Sequence, residues 1–152
     1  MENNMEIERK FTVKSIPANL SEYPCRKLEQ GYLNTSPVVR VRREDDNYYL
    51  TYKGKGFLVR EEHNLALTKE AYLHLREKAD GLIITKDRYL IPFNEKLTIE
   101  LDIFAGPLAP LVLAEVEFET EEEANTFTPP EWFDKDVTND PSFSNSALSQ
   151  MF

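Results

Sequence analysis

Polar and apolar residues alternate with period two along most of this chain, and Gly, Pro, Asn or Asp punctuates the runs as in an antiparallel sheet. The pattern predicts about eight strands, near residues 5–13, 26–34, 38–43, 48–54, 57–65, 83–91, 96–103 and 112–120. Two helices interrupt them. The first, over 68–79, has Thr68 as N-cap, an apolar stripe of Leu67, Ala71, Leu75 and Ala79, and Gly81 as a stop signal. The second starts at Thr120, which has capping-box spacing to Glu123, and ends before Pro129 and Pro130. A short helical turn is expected near 18–23. Residues 131–152 carry Trp132, Phe133, Phe143 and Leu148, too much apolar surface for a free tail, so this segment is expected to fold back. Neither an internal repeat nor a change of composition divides the chain, and one domain is expected over 1–152.

With 41% hydrophobic and 11% aromatic residues and five glycines in 152 positions, the chain has the means to bury a core and is not of a disordered or collagen-like class. Its formal net charge of −9 argues against general nucleic-acid binding, which needs a basic surface to displace counterions. The lone Cys25 closes no intramolecular disulfide, and His63 and His74 lack zinc-protease spacing. No run approaches the roughly 18 apolar residues of a membrane span, and the start of the chain is charged. The cytoplasm is the expected location, with neither nucleic acid nor membrane as partner.

Residues i and i+2 of a strand share a face, and nearly every predicted strand carries charge on one parity. The first strand offers Glu6, Glu8 and Lys10, the third Arg40 and Arg42, the fourth Lys53, and the fifth Arg60 and Glu62. The sixth adds Lys86 and Arg88, the seventh Glu100 and Asp102, and the eighth Glu115 and Glu117. A half-buried sheet with a solvated polar side explains any one of these pairs. It explains the set less well, because acids gather on strands one, seven and eight and bases on three, four and six, where like charges repel. Carboxylates without His or Cys nearby suit a hard cation, Mg²⁺ or Mn²⁺, and Arg with Lys suits phosphate oxygens. A chain of linked phosphates would engage both halves. The expected fold is therefore α+β: an eight-stranded antiparallel β-barrel, a tunnel with a charged interior and helices packed outside.

Glu6-Ile7-Glu8-Arg9-Lys10 resembles the ExExK signature of the CYTH domain, the triphosphate tunnel metalloenzyme superfamily. The likeness extends through Gln30-Gly31-Tyr32-Leu33, Arg40-Val41-Arg42, Lys53, Lys86 and Arg88, Leu101-Asp102, Glu115-Val116-Glu117 and Asp136-Val137-Thr138 to Ser144-Asn145 and Leu148. It implies a tunnel that binds triphosphates with a divalent metal. By that resemblance Glu6, Glu8, Asp102, Glu115 and Glu117 are metal ligands, and Lys10, Arg40, Arg42, Lys53, Arg60, Lys86 and Arg88 hold phosphates. Glu62 and Glu100 line the tunnel, and Lys10 with Tyr32 forms a catalytic dyad. One departure stands out: Pro141-Ser142-Phe143 occupies the place where relatives often carry a basic residue and Tyr.

The function expected is metal-dependent hydrolysis of a terminal phosphoanhydride, with inorganic triphosphate the first substrate to try. Alternatives are a thiamine or nucleoside triphosphatase, a class IV-like adenylate cyclase, weakened by the lack of an HFxxxxE segment, and a non-catalytic polyphosphate or nucleotide binder. Monomer and homodimer are both open. Lys53-Gly54-Lys55-Gly56 lacks Walker spacing and reads as a hairpin with Lys55 in solvent.

Overall fold

Strands whose two faces differ so sharply in polarity need an enclosed space for one face and a covering layer for the other. The computed structural model, which describes residues 4–151, supplies both. Its strands are β1 (Met5–Val13), β2 (Cys25–Thr35), β3 (Val38–Glu44), β4 (Asn47–Lys53), β5 (Val59–Ala66), β6 (Asp80–Pro92), β7 (Thr98–Phe104), β8 (Val112–Glu117) and β9 (Phe133–Asp136). The helices are α1 (Lys69–Arg76), α2 (Glu121–Thr126) and α3 (Asn145–Ser149). All pairings are antiparallel, in the order β5-β4-β3-β2-β6-β7-β8-β1-β9. Pairing of Met5–Ile7 with residues 59–61 of β5 closes the ring at eight strands. β9 lies outside that ring, on the second half of β1.

The outward parity builds the larger core. Ile7, Phe11, Ile91, Ile99, Leu101, Ala114, Val116 and Phe118 pack with Ala124 of α2 and Phe133 of β9. Arg9, also on this side, ties the layers together by donating to the carbonyls of Ala124 and Phe127 and to Asp136.

Several elements differ from expectation for local reasons. The first helix stops at Arg76, and Gly81 belongs to β6 instead of ending the helix. Its φ is +72°, and a Cβ there would lie 2.3 Å from the Ser149 carbonyl oxygen, so Gly81 admits the end of α3. On α1 the buried side chain is Tyr72, whose hydroxyl donates to Glu29 at 2.7 Å, while Ala71 and Leu75 are half-buried. The eighth strand ends at Glu117 because Thr120 is committed to capping α2, accepting from the Glu123 amide at 3.1 Å. The tail adds β9 and α3, and Ser144 caps the latter. Among the described residues no helix is long and apolar enough to cross a membrane.

Candidate active site

The ring order decides which side chains confront each other. In a closed ring of eight, β8 lies opposite β3, β7 opposite β4, and β1 opposite β2. The acids of β7 and β8 therefore look across at the bases of β3 and β4. They enclose a cavity of about 710 Å³ lined by Glu6, Glu8, Lys10, Tyr32, Arg40, Arg42, Lys53, Arg60, Glu62, Arg88, Glu100, Glu115 and Glu117, a size typical of ligand sites.

Glu8, Glu100 and Glu115 bring carboxylate oxygens within 4.8 Å of one another. The cause lies in the register, which sets Glu100 directly against Glu115 and Glu8 against Glu117. Burial, then the charges of Glu115 and Glu6, push Glu8 well above the usual carboxylate range. Burial also raises Glu100, against the pull of Arg88. At the rim, burial and then the neighbouring Glu6 push Glu117 up to about 7. Glu115 goes the other way: burial opposes its charge, but Lys10, Arg88 and Lys86 hold it well below the ordinary value. A carboxylate that its cations keep low, beside two whose burial resists ionisation, is an oxygen donor set that a divalent cation would complete, since oxygen ligands suit Mg²⁺ and Mn²⁺.

On the basic wall, Arg40 is 5% exposed, and its Nε has no hydrogen-bond partner among the described residues. A buried orphan donor is costly unless something accepts from it. Burial, then Arg40 and Arg88, lower the Arg42 guanidinium to about 10. Lys53 sits 3.1 Å from Glu6 and 3.3 Å from Glu62. Burial works against both Lys53 and Glu62, yet Glu6 raises the lysine, and bonding with Glu6 and Lys53 takes Glu62 down to about 2. Burial leaves Glu6 raised despite Lys53. Arg60 donates to the Gly54 carbonyl and secures the β4–β5 hairpin at the mouth, where Lys55 is exposed.

Two residues expected to line the cavity share its inward parity but are sealed inside the packed ring. Lys86 and Asp102 are among neither its lining nor its exposed groups; they pair at 2.7 Å with no side-chain exposure. Asp102 also receives Arg88 through both oxygens, at 2.8 and 2.9 Å. Its carboxylate is thus spent on protein cations, which overcome burial and keep it low, while Arg88 is raised well above the usual guanidinium range. Burial takes Lys86 down to about 8, and the lysine reaches Asn145 of α3 at 3.3 Å. Lys10 and Tyr32 face the cavity from opposite strands: Lys10 meets Glu115 at 3.5 Å and the Phe143 carbonyl at 3.2 Å, and Tyr32 meets Gln30 at 3.2 Å.

One end of the inward face is apolar. Tyr32, Val38, Ile84, Phe104 and Leu113 share the parity of the charged groups yet pack with Leu148 of α3. Sequence reasoning gave no role to Gln30, Thr51 and Asn64, three uncharged partners inside the ring. Thr51 accepts from Arg40 at 3.4 Å and donates to Asn64 at 2.6 Å. The detectable signal was parity: each sits two residues from a charged or tyrosyl inward position.

An eight-stranded antiparallel barrel with this opposed acidic and basic lining defines the class of triphosphate-tunnel folds. The CYTH domain family model matches residues 4–137, and the chain belongs to that family. It is 39% identical over 147 residues to an inorganic triphosphatase of Nitrosomonas europaea, covering 95% of this chain and 96% of the relative. It is 36% identical over 147 residues to an inorganic triphosphatase of Acetivibrio thermocellus, covering 94% and 92%. The crystal structure of the inorganic triphosphatase NE1496 superposes with a TM-score of 0.72 at 35% identity, covering all of this chain and 97% of that one.

Proposed function

We propose that this protein hydrolyses inorganic triphosphate to pyrophosphate and orthophosphate, with a divalent cation as cofactor. The observation that carries this reading is the confrontation of the Glu8, Glu100 and Glu115 oxygens with Arg40 and Arg42 across one cavity. The names of the similar proteins from Nitrosomonas europaea and Acetivibrio thermocellus support the choice of substrate.

Glu8, Glu100 and Glu115 would hold the cation, with Glu6 and Glu117 beside them. When bound, the cation would neutralise phosphoryl oxygens and acidify water. Arg40, Arg42, Lys53 and Arg60 bind and align the phosphates, and Arg40 Nε gains the acceptor it lacks. Arg88 is held at the acidic wall by Asp102 and Glu100, where its charge tempers the repulsion among the crowded carboxylates. Phosphoryl transfer asks mainly for such alignment and charge neutralisation. Lys10 and Tyr32 act from opposite strands on what lies between them: Lys10 on phosphoryl charge, and Tyr32, once it has passed its own proton into the cavity and become the phenolate, on the proton of the attacking water. The unpaired, exposed Cys25 suits a reducing compartment such as the cytoplasm.

The test is a panel of tripolyphosphate, thiamine triphosphate and ATP with Mg²⁺ or Mn²⁺. Tripolyphosphate should yield orthophosphate at about 1 s⁻¹ or faster, and should be the preferred substrate. Cyclic AMP with pyrophosphate from ATP, or tight binding of tripolyphosphate without turnover, contradicts the proposal.

A further inference from the structure

Gln30 is fully buried, at 0% exposure, on the inward face of β2 and between two groups assigned above to substrate. Its Oε1 lies 2.8 Å from Arg42 Nε, and its Nε2 lies 3.2 Å from the Tyr32 hydroxyl. An arginine has donors and no acceptor, so the Arg42 contact dictates which end of the amide is oxygen. The other end, turned to Tyr32, is then NH₂, and it has only donors. The phenolic oxygen must therefore accept from Gln30, and its own proton cannot be spent on that contact. No other hydrogen bond to the Tyr32 hydroxyl is found among the described residues.

We infer that Gln30 is a positioning residue, whose amide, oriented by Arg42, makes the Tyr32 oxygen an acceptor and thereby turns the Tyr32 O–H outward to the cavity. The same contact anchors one edge of the Arg42 guanidinium. A donor on the phenolic oxygen polarises the O–H bond, which favours transfer of that proton to a partner in the cavity. Neither role requires Gln30 to touch substrate. Register explains why a glutamine can serve both: Gln30 pairs with Arg42, and Tyr32 follows on the same face of the strand.

The decisive substitution is Gln30→Glu. It keeps length and the Arg42 contact but replaces the donor facing Tyr32 with an acceptor, so the phenol must turn its proton back to residue 30. The intensity ratio of the tyrosine Raman Fermi doublet reports whether a phenolic oxygen accepts or donates. Subtracting the Tyr32→Phe spectrum isolates Tyr32 from the other six of the seven tyrosines. In the ligand-free protein the upper member should dominate, as for an acceptor, and Gln30→Glu should reverse the ratio. Gln30→Met, which has no donor, should lower the upper member and serves if the charged variant folds poorly. A wild-type signal typical of a donor, or a ratio unchanged in both variants, overturns the assignment.

The kinetic arm rests on the triphosphatase reading. Gln30→Glu should reduce kcat for tripolyphosphate by about tenfold, the worth of one hydrogen bond. KM should change by less than about threefold, and the kcat loss should vanish in a Tyr32→Phe background. Equal losses in both backgrounds overturn the role. The spectroscopic arm needs no turnover, so a protein inactive on tripolyphosphate would defeat that reading while the Raman ratio still decides the Gln30 assignment.

Discussion

At the scale of single residues, the cavity is organised by where charge is already satisfied. Asp102 has its oxygens committed to Lys86 and Arg88, whereas Glu8, Glu100 and Glu115 crowd together without enough cations between them. That contrast separates two kinds of carboxylate which the sequence presents as equals. Glu115→Gln should reduce turnover of tripolyphosphate by at least about a hundredfold, since it removes the one member held ionised from a charge-stabilising set. Divalent-cation affinity, followed by titration calorimetry, should fall with it; near-native turnover would exclude Glu115. Lys86→Met should act differently, because Lys86 does not line the cavity. Leaving buried Asp102 short of a partner should cost about 3 kcal/mol in urea denaturation, with a smaller effect on KM for tripolyphosphate than Arg40→Met produces. An effect confined to KM would return Lys86 to the phosphate-binding group.

At the scale of elements, strict alternation made the eight barrel strands readable, because a strand with one charged and one apolar face admits few other states. The ExExK parity of β1 located the acidic wall in the same way. What the pattern hid was short or tertiary. β9 is Phe-Asp-Lys-Asp, too brief and too charged to announce a strand, and it exists because β1 has a free edge beyond its pairing with β5. The apolar end of the cavity was equally hidden, since Ile84, Phe104 and Leu113 share a parity with charged residues and are sorted only by their height along the barrel. The pairing of Asp102 was hidden for a related reason: which wall cation it meets depends on cross-strand register, Arg88 lying directly opposite. α3 depends on Gly81, so Gly81→Ala should undock it. A strained φ and a 2.3 Å approach to Ser149 should cost more than about 1 kcal/mol. Proteolysis near residues 145–149 should accelerate before global unfolding, and unaltered protection would show that α3 is held without the close approach at Gly81, by Leu148 and the Lys86–Asn145 contact.

At the scale of the whole molecule, two opposed sets of titrating groups give stability a definite pH dependence. Glu6, Glu8, Glu100 and Glu117 bind protons more tightly folded than unfolded. Their contribution is present at low pH and is lost as pH rises through their folded values, about 7 for Glu117. Glu62, Asp102 and Glu115 are depressed, and their contribution is lost as pH falls below the ordinary carboxylate range, about 4. In the metal-free protein Tm should therefore peak near pH 5 and decline toward pH 8. Added Mg²⁺ should raise Tm more at the alkaline end, where the vacated carboxylates are ionised; a flat profile insensitive to Mg²⁺ would contradict this balance. The central claim is that cation and polyanion meet inside the ring. A crystal structure with Mn²⁺ and tripolyphosphate, the metal located by anomalous scattering, tests it most directly. Manganese should lie against Glu8, Glu100 and Glu115, with phosphate oxygens on Arg40 and Arg42; a metal outside the barrel, or a triphosphate bound to its outer surface, would contradict the account.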